Sequence, residues 1–514
     1  MTNRARRKSA VVIGGGFGGL AVANRLQAAG MDVTLLEKRP LVGGRAYRLQ
    51  SHGFTWDMGP SLITAPEIIQ RVFQMAGRDL SEYVQLEPLD PFYRVYFHDD
   101  TFIDYGPDEE ALLAQMRRFN PKDAERYHDF MRDVRPIYEA VIEENLGARP
   151  FDSIRSMLSV APTLLRHRAV EPVKYFVDRY FDDFRHQFLF SFHPLFIGGN
   201  PFRAPSVYVM IPYLERKQGV WYTQGGMYSL VSGLAKLFTD QGGTLKTGHR
   251  VERIVIEDGK ATGVQVEGGA LFKADVVVSN ADVVHTYREL VPRDARRHWS
   301  DRRVDNLKQS MSCFLIYAGV KKQFPQLRHH TIILSERYKG LITDIFDRKK
   351  LPADFSLYLH APTRSDDSMA PPGCESLYIL APVANLQSGT DWQTEKEAFA
   401  ERILGFLEEW GLEGLREHLV VRHLFTPDDF ASELNAAHGN AFGIEPRLSQ
   451  TAFLRPHNAS EDVDNLYLVG AGTHPGAGIP GVLLGAEATA YCVARDLNLS
   501  HKQDIRTIRE STDV

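Results

Sequence analysis

The stretch Ala10-Val11-Val12-Ile13-Gly14-Gly15-Gly16-Phe17-Gly18-Gly19-Leu20 constrains this chain more than any other, because it prescribes a strand, a tight turn and a helix in that order. Small and β-branched residues run into glycines, and an apolar-periodic segment follows. Gly14, Gly16 and Gly19 fit G-x-G-x-x-G. Gly14 allows the sharp turn, Gly16 lets the backbone approach a pyrophosphate, and Gly19 lets helix and strand pack closely. The helix start then offers N–H groups without intrahelical partners, and the positive end of its dipole, to phosphates. In a chain with 41 glycines the motif gains weight from its surroundings. A second apolar run, Val33-Thr34-Leu35-Leu36, ends in Glu37, where a carboxylate can accept hydrogen bonds from the adenosine ribose hydroxyls. The unit closes within ~30 residues, as a dinucleotide site requires.

A length of 514 residues corresponds to roughly two to four domains. The formal charge of −5 argues against a general nucleic-acid binder. Cys313, Cys374 and Cys492 form no C-x-x-C pattern, so neither a zinc site nor a disulfide framework is expected, and a reducing cytoplasm is the expected setting. Arg4, Arg6, Arg7 and Lys8 make a basic start, but the glycine turn interrupts the apolar segment a signal peptide needs. No run of about 18 apolar residues predicts a transmembrane helix.

Further along, Lys38-Arg39-Pro40-Leu41-Val42-Gly43-Gly44-Arg45 reads as a loop lying close to a ligand, with a cation beside its phosphates. Phe54 to Ser61 is extended and turns at Gly59-Pro60. Pro91 to Phe97 and Phe102 to Tyr105 read as a strand pair around Asp99-Asp100. Helices are expected over Glu109 to Phe119 and Pro121 to Asn145. From Tyr175 to Phe202, Phe176, Tyr180, Phe184, Phe188, Phe192 and Phe196 recur every four residues, which on one helix makes a broad aromatic stripe. Helix core is the favoured reading of that stripe; the wall of an apolar channel or a lipid-facing surface is the sharper one. Strands are expected at Ser312 to Val320, Ser356 to His360 and Ser376 to Pro382, with a helix from Thr394 to Trp410. His329, His330 and His360 have no carboxylate or cysteine at ligand spacing and read as core or surface histidines, with no metal expected. Near the end, Leu466 to Val469 is a buried strand entering the loop Gly470 to Val482, and Leu483 to Asp496 is a tightly packed helix. A second glycine-rich loop at a helix start suits the far end of an elongated cofactor.

The glycine turn, Glu37 and Gly43-Gly44-Arg45 resemble the flavin amine oxidase and phytoene desaturase superfamily. The block Asn465 to Val482, with Ser191 to Pro201, Ser279 to Tyr287 and Asp354 to Pro362, resembles bacterial-type phytoene desaturases over about residues 8 to 498. The resemblance implies an α/β fold with a Rossmann-type, glutathione-reductase-like FAD-binding domain, a mixed-sheet substrate domain and a helical membrane-associating part. It places the FAD-binding domain at 1–80, 220–300 and 455–500, the substrate domain at 81–120 and 301–454, the helical channel region at 121–219, and a polar tail at 501–514. FAD is implied as the cofactor, held by Gly14, Gly16, Gly19, Glu37, Lys38, Gly44, Arg45, Gly59, Pro60, Ser61, Val251, Gly472, Pro480, Gly481 and Val482. Phe192, His193 and Phe196 are implied in the substrate channel.

The implied activity is stepwise desaturation of phytoene, a C40 hydrocarbon, toward neurosporene or lycopene, at a membrane surface, with dioxygen or a quinone reoxidising FAD and no nucleic-acid partner. A cytoplasmic, peripherally membrane-associated protein follows from this. In some relatives an aspartate, with an arginine nearby, is the proposed acid–base; here Ser156 stands at that place, with Arg155 beside it as the catalytic candidate. Either the acid is dispensable, another carboxylate substitutes, or the product differs. A later-step carotenoid desaturase or oxidase, a carotenoid isomerase and a prenyl-lipid escort protein are the rival readings on the same scaffold.

Overall fold

The computed structural model describes residues 6–152, 157–158, 161–162 and 165–499. Strand β1 (Ser9–Ile13), helix α1 (Phe17–Ala28) and strand β2 (Asp32–Leu36) follow the order set by the glycine turn. β1 and β2 are parallel, from Ser9↔Asp32 to Ile13↔Leu36. On its other side β1 pairs with Val276–Ser279, which in turn pairs with Leu466–Leu468, and Thr244–Lys246 closes the far edge beside β2. The result, among the described residues, is a five-stranded parallel sheet drawn from three distant parts of the chain.

Alternation along β1 explains how this sheet is covered. Ala10 and Val12 point to one face, where α1, Met227–Asp240 and Ile479–Asp496 pack. Val11 and Ile13 point to the other, against the antiparallel strands Val251–Glu257 and Lys260–Val266. A strand buried on both faces has to be apolar throughout, as β1 and Val276–Ser279 nearly are.

A second, seven-stranded sheet runs in the order Leu419–Phe425, Ser312–Val320, Glu375–Val383, Leu357–His360, His330–Ile333, Tyr93–Tyr96, Phe102–Tyr105. Its pairings are antiparallel except for His330–Ile333 beside Tyr93–Tyr96. Helix Trp392–Trp410 covers one face, with Phe399, Ile403 and Leu407 against Phe314 and Ile316. Strands His330–Ile333 and Leu419–Phe425 were not expected from the sequence, since His329-His330 and His423 interrupt the alternation that marks strands.

The aromatic stretch is not one helix. It divides into Val173–Val177, Phe184–Ser191 and a 3-10 turn His193–Ile197. Asp183 caps the second piece through Arg185 N–H, and Asp123 accepts the N–H groups of Asp182 and Asp183, so local polar chemistry ends the first helix. Pro194 then stops the second. The core reading of the stripe holds for Phe176, Phe188 and Phe192, which are buried, whereas Phe184 is exposed. The helix from Pro121 is shorter than expected: it ends at Tyr138 and continues as a π-helical turn, Glu139–Glu143. No helix among the described residues is long and apolar enough to cross a membrane.

Candidate active site

Open α/β sheets bind ligands beyond the carboxyl ends of the strands, where neighbouring strands continue in opposite directions. Here that point lies between β1 and Val276–Ser279. Gly14 follows the first and Asn280 the second, and Asn280 Nδ2 donates to Gly14 O at 3.2 Å. Gly14 adopts φ +91°, which a side chain would resist. Gly43 N–H donates to Gly15 O at 2.8 Å, and a Cβ on Gly44 would sit 3.2 Å from Gly16 Cα. The two glycine loops therefore touch, and side chains there would fill the cradle. Gly16, Phe17 and Gly18 line the cavity at the start of α1, and no side chain caps that helix.

Arg45 reaches the same place. Its Nη2 donates to Asn440 Oδ1 at 3.2 Å, while its Nε is buried without a hydrogen-bond partner. Burial lowers its pKa, opposed by Asp282. A half-satisfied cation beside uncapped helix N–H groups is a site that takes an anion, so the residues fit the pyrophosphate of a dinucleotide. Glu37 is buried; its two carboxylate oxygens accept Gly15 N–H at 2.8 Å and Arg39 N–H at 2.9 Å. Those bonds fix its orientation in the cavity wall and leave lone pairs for ribose hydroxyls. Val251 opens its strand beside His249 and Arg250 in the same wall. Lys38 also lines the cavity, where its Nζ donates to Asn435 Oδ1, another wall residue, at 2.8 Å.

The second glycine loop meets the cavity from the opposite terminus. Gly476 to Val482 line it, and Gly478, at φ +93°, starts helix Ile479–Asp496 with Pro480 in its first turn. Gly59, Pro60 and Ser61 run across it, and a Cβ on Gly59 would collide with Arg45 O at 2.2 Å.

The same cavity continues into apolar territory without a break. Phe188, Phe192, Leu195, Phe196, Tyr338 and Phe442 are among its walls. Phe192 stacks on Phe188 at 5.1 Å and meets Phe196 edge-on at 5.1 Å. Such a tunnel recognises hydrocarbon by area and shape.

Three expected site residues do not line the cavity. A Cβ on Gly19 would come within 2.0 Å of Gly14 O, and one on Gly472 within 2.8 Å of Val283 Cγ1, so both serve close packing behind the site. His193 lies behind the wall, with Nε2 3.0 Å from Tyr93 Oη and 3.2 Å from Glu215 Oε2. Arg155 and Ser156 fall outside the described residues. The sequence reading missed Asn280, Asp282 and Tyr358 as wall residues. All three sat in segments that carry the resemblance, Ser279 to Tyr287 and Asp354 to Pro362, but nothing in their spacing singled them out as wall residues.

A model of the family described as flavin containing amine oxidoreductase matches residues 17–494. The chain is 46% identical over 494 residues to a phytoene desaturase (lycopene-forming) of Pseudescherichia vulneris, covering 95% of this chain and 100% of that protein. It is 40% identical over 491 residues to a phytoene desaturase (neurosporene-forming) of Rhodobacter capsulatus, covering 94% and 93%. Among solved structures, an oxidoreductase from Methanosarcina mazei superposes with a TM-score of 0.58 at 18% identity, covering 93% of this chain and 98% of that one, a likeness of fold.

Proposed function

Because the chain belongs to the flavin containing amine oxidoreductase family, we propose that it is an FAD-dependent desaturase that converts phytoene by successive steps to neurosporene or lycopene. One observation carries the reading: a single cavity has a phosphate cradle at one end and an aromatic hydrocarbon wall at the other. Bound FAD supplies the hydride acceptor for an allylic C–H bond.

The chain's own residues do the rest. Gly16, Gly44 and the start of α1 would present backbone N–H groups to the pyrophosphate, and Arg45 a positive charge, while Gly14, whose own N–H donates to Leu36 O at 2.7 Å, makes the turn. Glu37 takes the ribose. Gly59 to Ser61, Pro480 to Val482 and Val251, all in the cavity wall, would hold the remainder of the cofactor, Val251 at its adenine end. Phe188, Phe192 and Phe196 hold the polyene. A hydrocarbon offers nothing for salt bridges, and at ~25 cal/mol per Å² buried contact area alone supplies the affinity. The same walls exclude water and align one C–C bond against the cofactor. Substrate delivery from a bilayer makes this a peripheral membrane enzyme, with dioxygen or a quinone as terminal acceptor.

The test is anaerobic incubation of FAD-loaded protein with phytoene in liposomes, read by absorbance and chromatography. Each new conjugated double bond moves the spectrum toward the visible. No conversion of phytoene, with conversion of neurosporene or lycopene instead, would transfer the assignment to a later-step desaturase.

A further inference from the structure

Desaturation removes a hydride from one carbon and a proton from its neighbour. The two electrons leave with the hydride; the proton has to leave an apolar cavity. We propose that Ser61, Tyr358, His330, His360 and His329 form a proton path joining the cavity wall to the protein surface at Ser365. The proposal rests on the desaturase reading only for the source of that proton.

The two ends are fixed by exposure. Ser61 and Tyr358 line the cavity, and their hydroxyls are 2.5 Å apart. Ser365, at the other end, is exposed. Between them Tyr358 Oη lies 2.7 Å from His330 Nδ1, His360 Nε2 lies 3.1 Å from His329 Nε2, and His329 Nδ1 lies 2.8 Å from Ser365 Oγ. All three imidazoles are buried, and burial lowers their pKa values, His329 to about 3 and the other two well below the usual range. They are therefore neutral at rest, each with one N–H and one lone pair.

One donor order accommodates every contact. Tyr358 O–H donates to His330 Nδ1, which puts the hydrogen of His330 on Nε2. His360 donates from Nε2 to His329 Nε2, which leaves His360 Nδ1 as an acceptor. His329 Nδ1–H then donates to Ser365 Oγ. This order leaves His330 Nε2 as a donor and His360 Nδ1 as an acceptor. Those are the two ring nitrogens of the cluster that are buried without a partner. His330 and His360 are cross-strand neighbours with rings 5.0 Å apart and 23° from parallel, so the missing link joins adjacent side chains. Two buried polar nitrogens without partners on adjacent rings call for a reason; because the rings are stacked, the in-plane N–H of His330 does not aim at His360, and transfer across this link requires one ring to turn. During transfer each group releases one proton as it takes one, and one H⁺ reaches solvent at Ser365. Hydride reduces FAD without further proton uptake, but flavin reduced by electrons alone, as by light, takes up a proton, and the same groups run in reverse would admit it. A metal ion is the competing reading: one nitrogen from each histidine lies within 4.8 Å of the others. No carboxylate or thiolate joins that group among the described residues, so a cation there would be held by three neutral imidazoles, a ligand set zinc accepts, and the metal content of the purified protein separates the two readings.

His330→Asn keeps an amide for Tyr358 and deletes the onward nitrogen; His360→Gln keeps a group for His329 and deletes Nδ1. Two rates are measured on FAD-loaded protein: single-turnover desaturation of phytoene in liposomes, in H₂O and D₂O, and proton uptake after flash photoreduction of the flavin, followed with a pH-indicator dye. In both variants both rates are expected to fall by about 100-fold, with the Kd for FAD, the KM for phytoene and the melting temperature unchanged. Added imidazole should restore His329→Ala, next to the surface. Wild-type rates in His330→Asn and His360→Gln would overturn the path, as would one bound metal per chain that disappears in those variants. Wild-type protein that takes up protons without converting phytoene would remove the desaturase reading, while the variants' uptake rates would still decide the path.

Discussion

Asp57 shows at the scale of one residue how burial outweighs a favourable neighbour. It sits on the strand preceding the Gly59-Pro60 turn, against the amino end of helix Met227–Asp240, which favours the carboxylate. Burial is the larger effect and pushes Asp57 up to about 7. Between about pH 4 and 7 the folded chain keeps a proton that the unfolded chain has released. Stability from this group is therefore present at low pH and is lost as pH rises through that window. Asp57→Asn should remove the slope. In denaturant unfolding it is expected to match wild type near pH 4 and to exceed it at pH 8, by a few kcal/mol at most. A variant less stable than wild type at pH 8 would show that the carboxylate is held by bonds stronger than its desolvation.

At the scale of elements, α1 and helix Ile479–Asp496 come from opposite termini and pack side by side, small residues of each allowing close approach. Between them lies an ion pair, Arg25 Nη2 to Glu487 Oε2 at 2.9 Å, with both side chains almost fully buried. Glu487 Oε1 also accepts Asn145 Nδ2 at 2.6 Å, which ties the helical region to the same junction. Breaking such a pair strands a charge, whereas replacing both members with apolar groups does not. Arg25→Met alone is expected to cost about 3–5 kcal/mol in denaturant unfolding, and Arg25→Met with Glu487→Leu to recover most of it. Equal losses in the single and double variants would mean that packing volume, and not charge, holds the junction. The aromatic stretch makes a related point: its four-residue spacing was legible as a stripe, but Asp123, Asp183 and Pro194 cut the helix that spacing assumed.

For the whole molecule, the cavity is built from both termini at once: Gly14 to Gly18, Gly44 and Arg45 from the start, Gly476 to Val482 from the end. A ligand spanning them stabilises the folded chain by mass action, about 2.7 kcal/mol when its concentration is 100 times Kd. FAD is therefore expected to raise the melting temperature and to protect both the first and the last described segments from proteolysis together. In Arg45→Met the same shift should require roughly tenfold or more FAD, since one charge-assisted contact is lost. Protection of the amino-terminal segment alone would place the cofactor's far end away from the 476–482 loop.

That Gly14, Glu37 and Gly44-Arg45 would meet in one cavity was readable in advance because turns, helix starts and parallel strands are local, and these residues carry their backbone geometry in their immediate neighbours. By itself the sequence determined a dinucleotide turn and a flavin-type family, whose resemblance implied the fold, while His330–Ile333 and Leu419–Phe425 of the second sheet were not legible in it. Tertiary structure alone decided which residues meet. Asn280 bonds to Gly14 across 266 positions, and sheet register brings His330, His360 and Tyr358 together, with Ser61 and His329 reaching them from the segments beside those strands. It also separated Gly19, Gly472 and His193, which pack behind the wall, from the residues that form it. The physical reason is range: backbone conformation is set by a few neighbouring residues, whereas a buried hydrogen-bond path exists only once long-range pairing has brought its strands side by side.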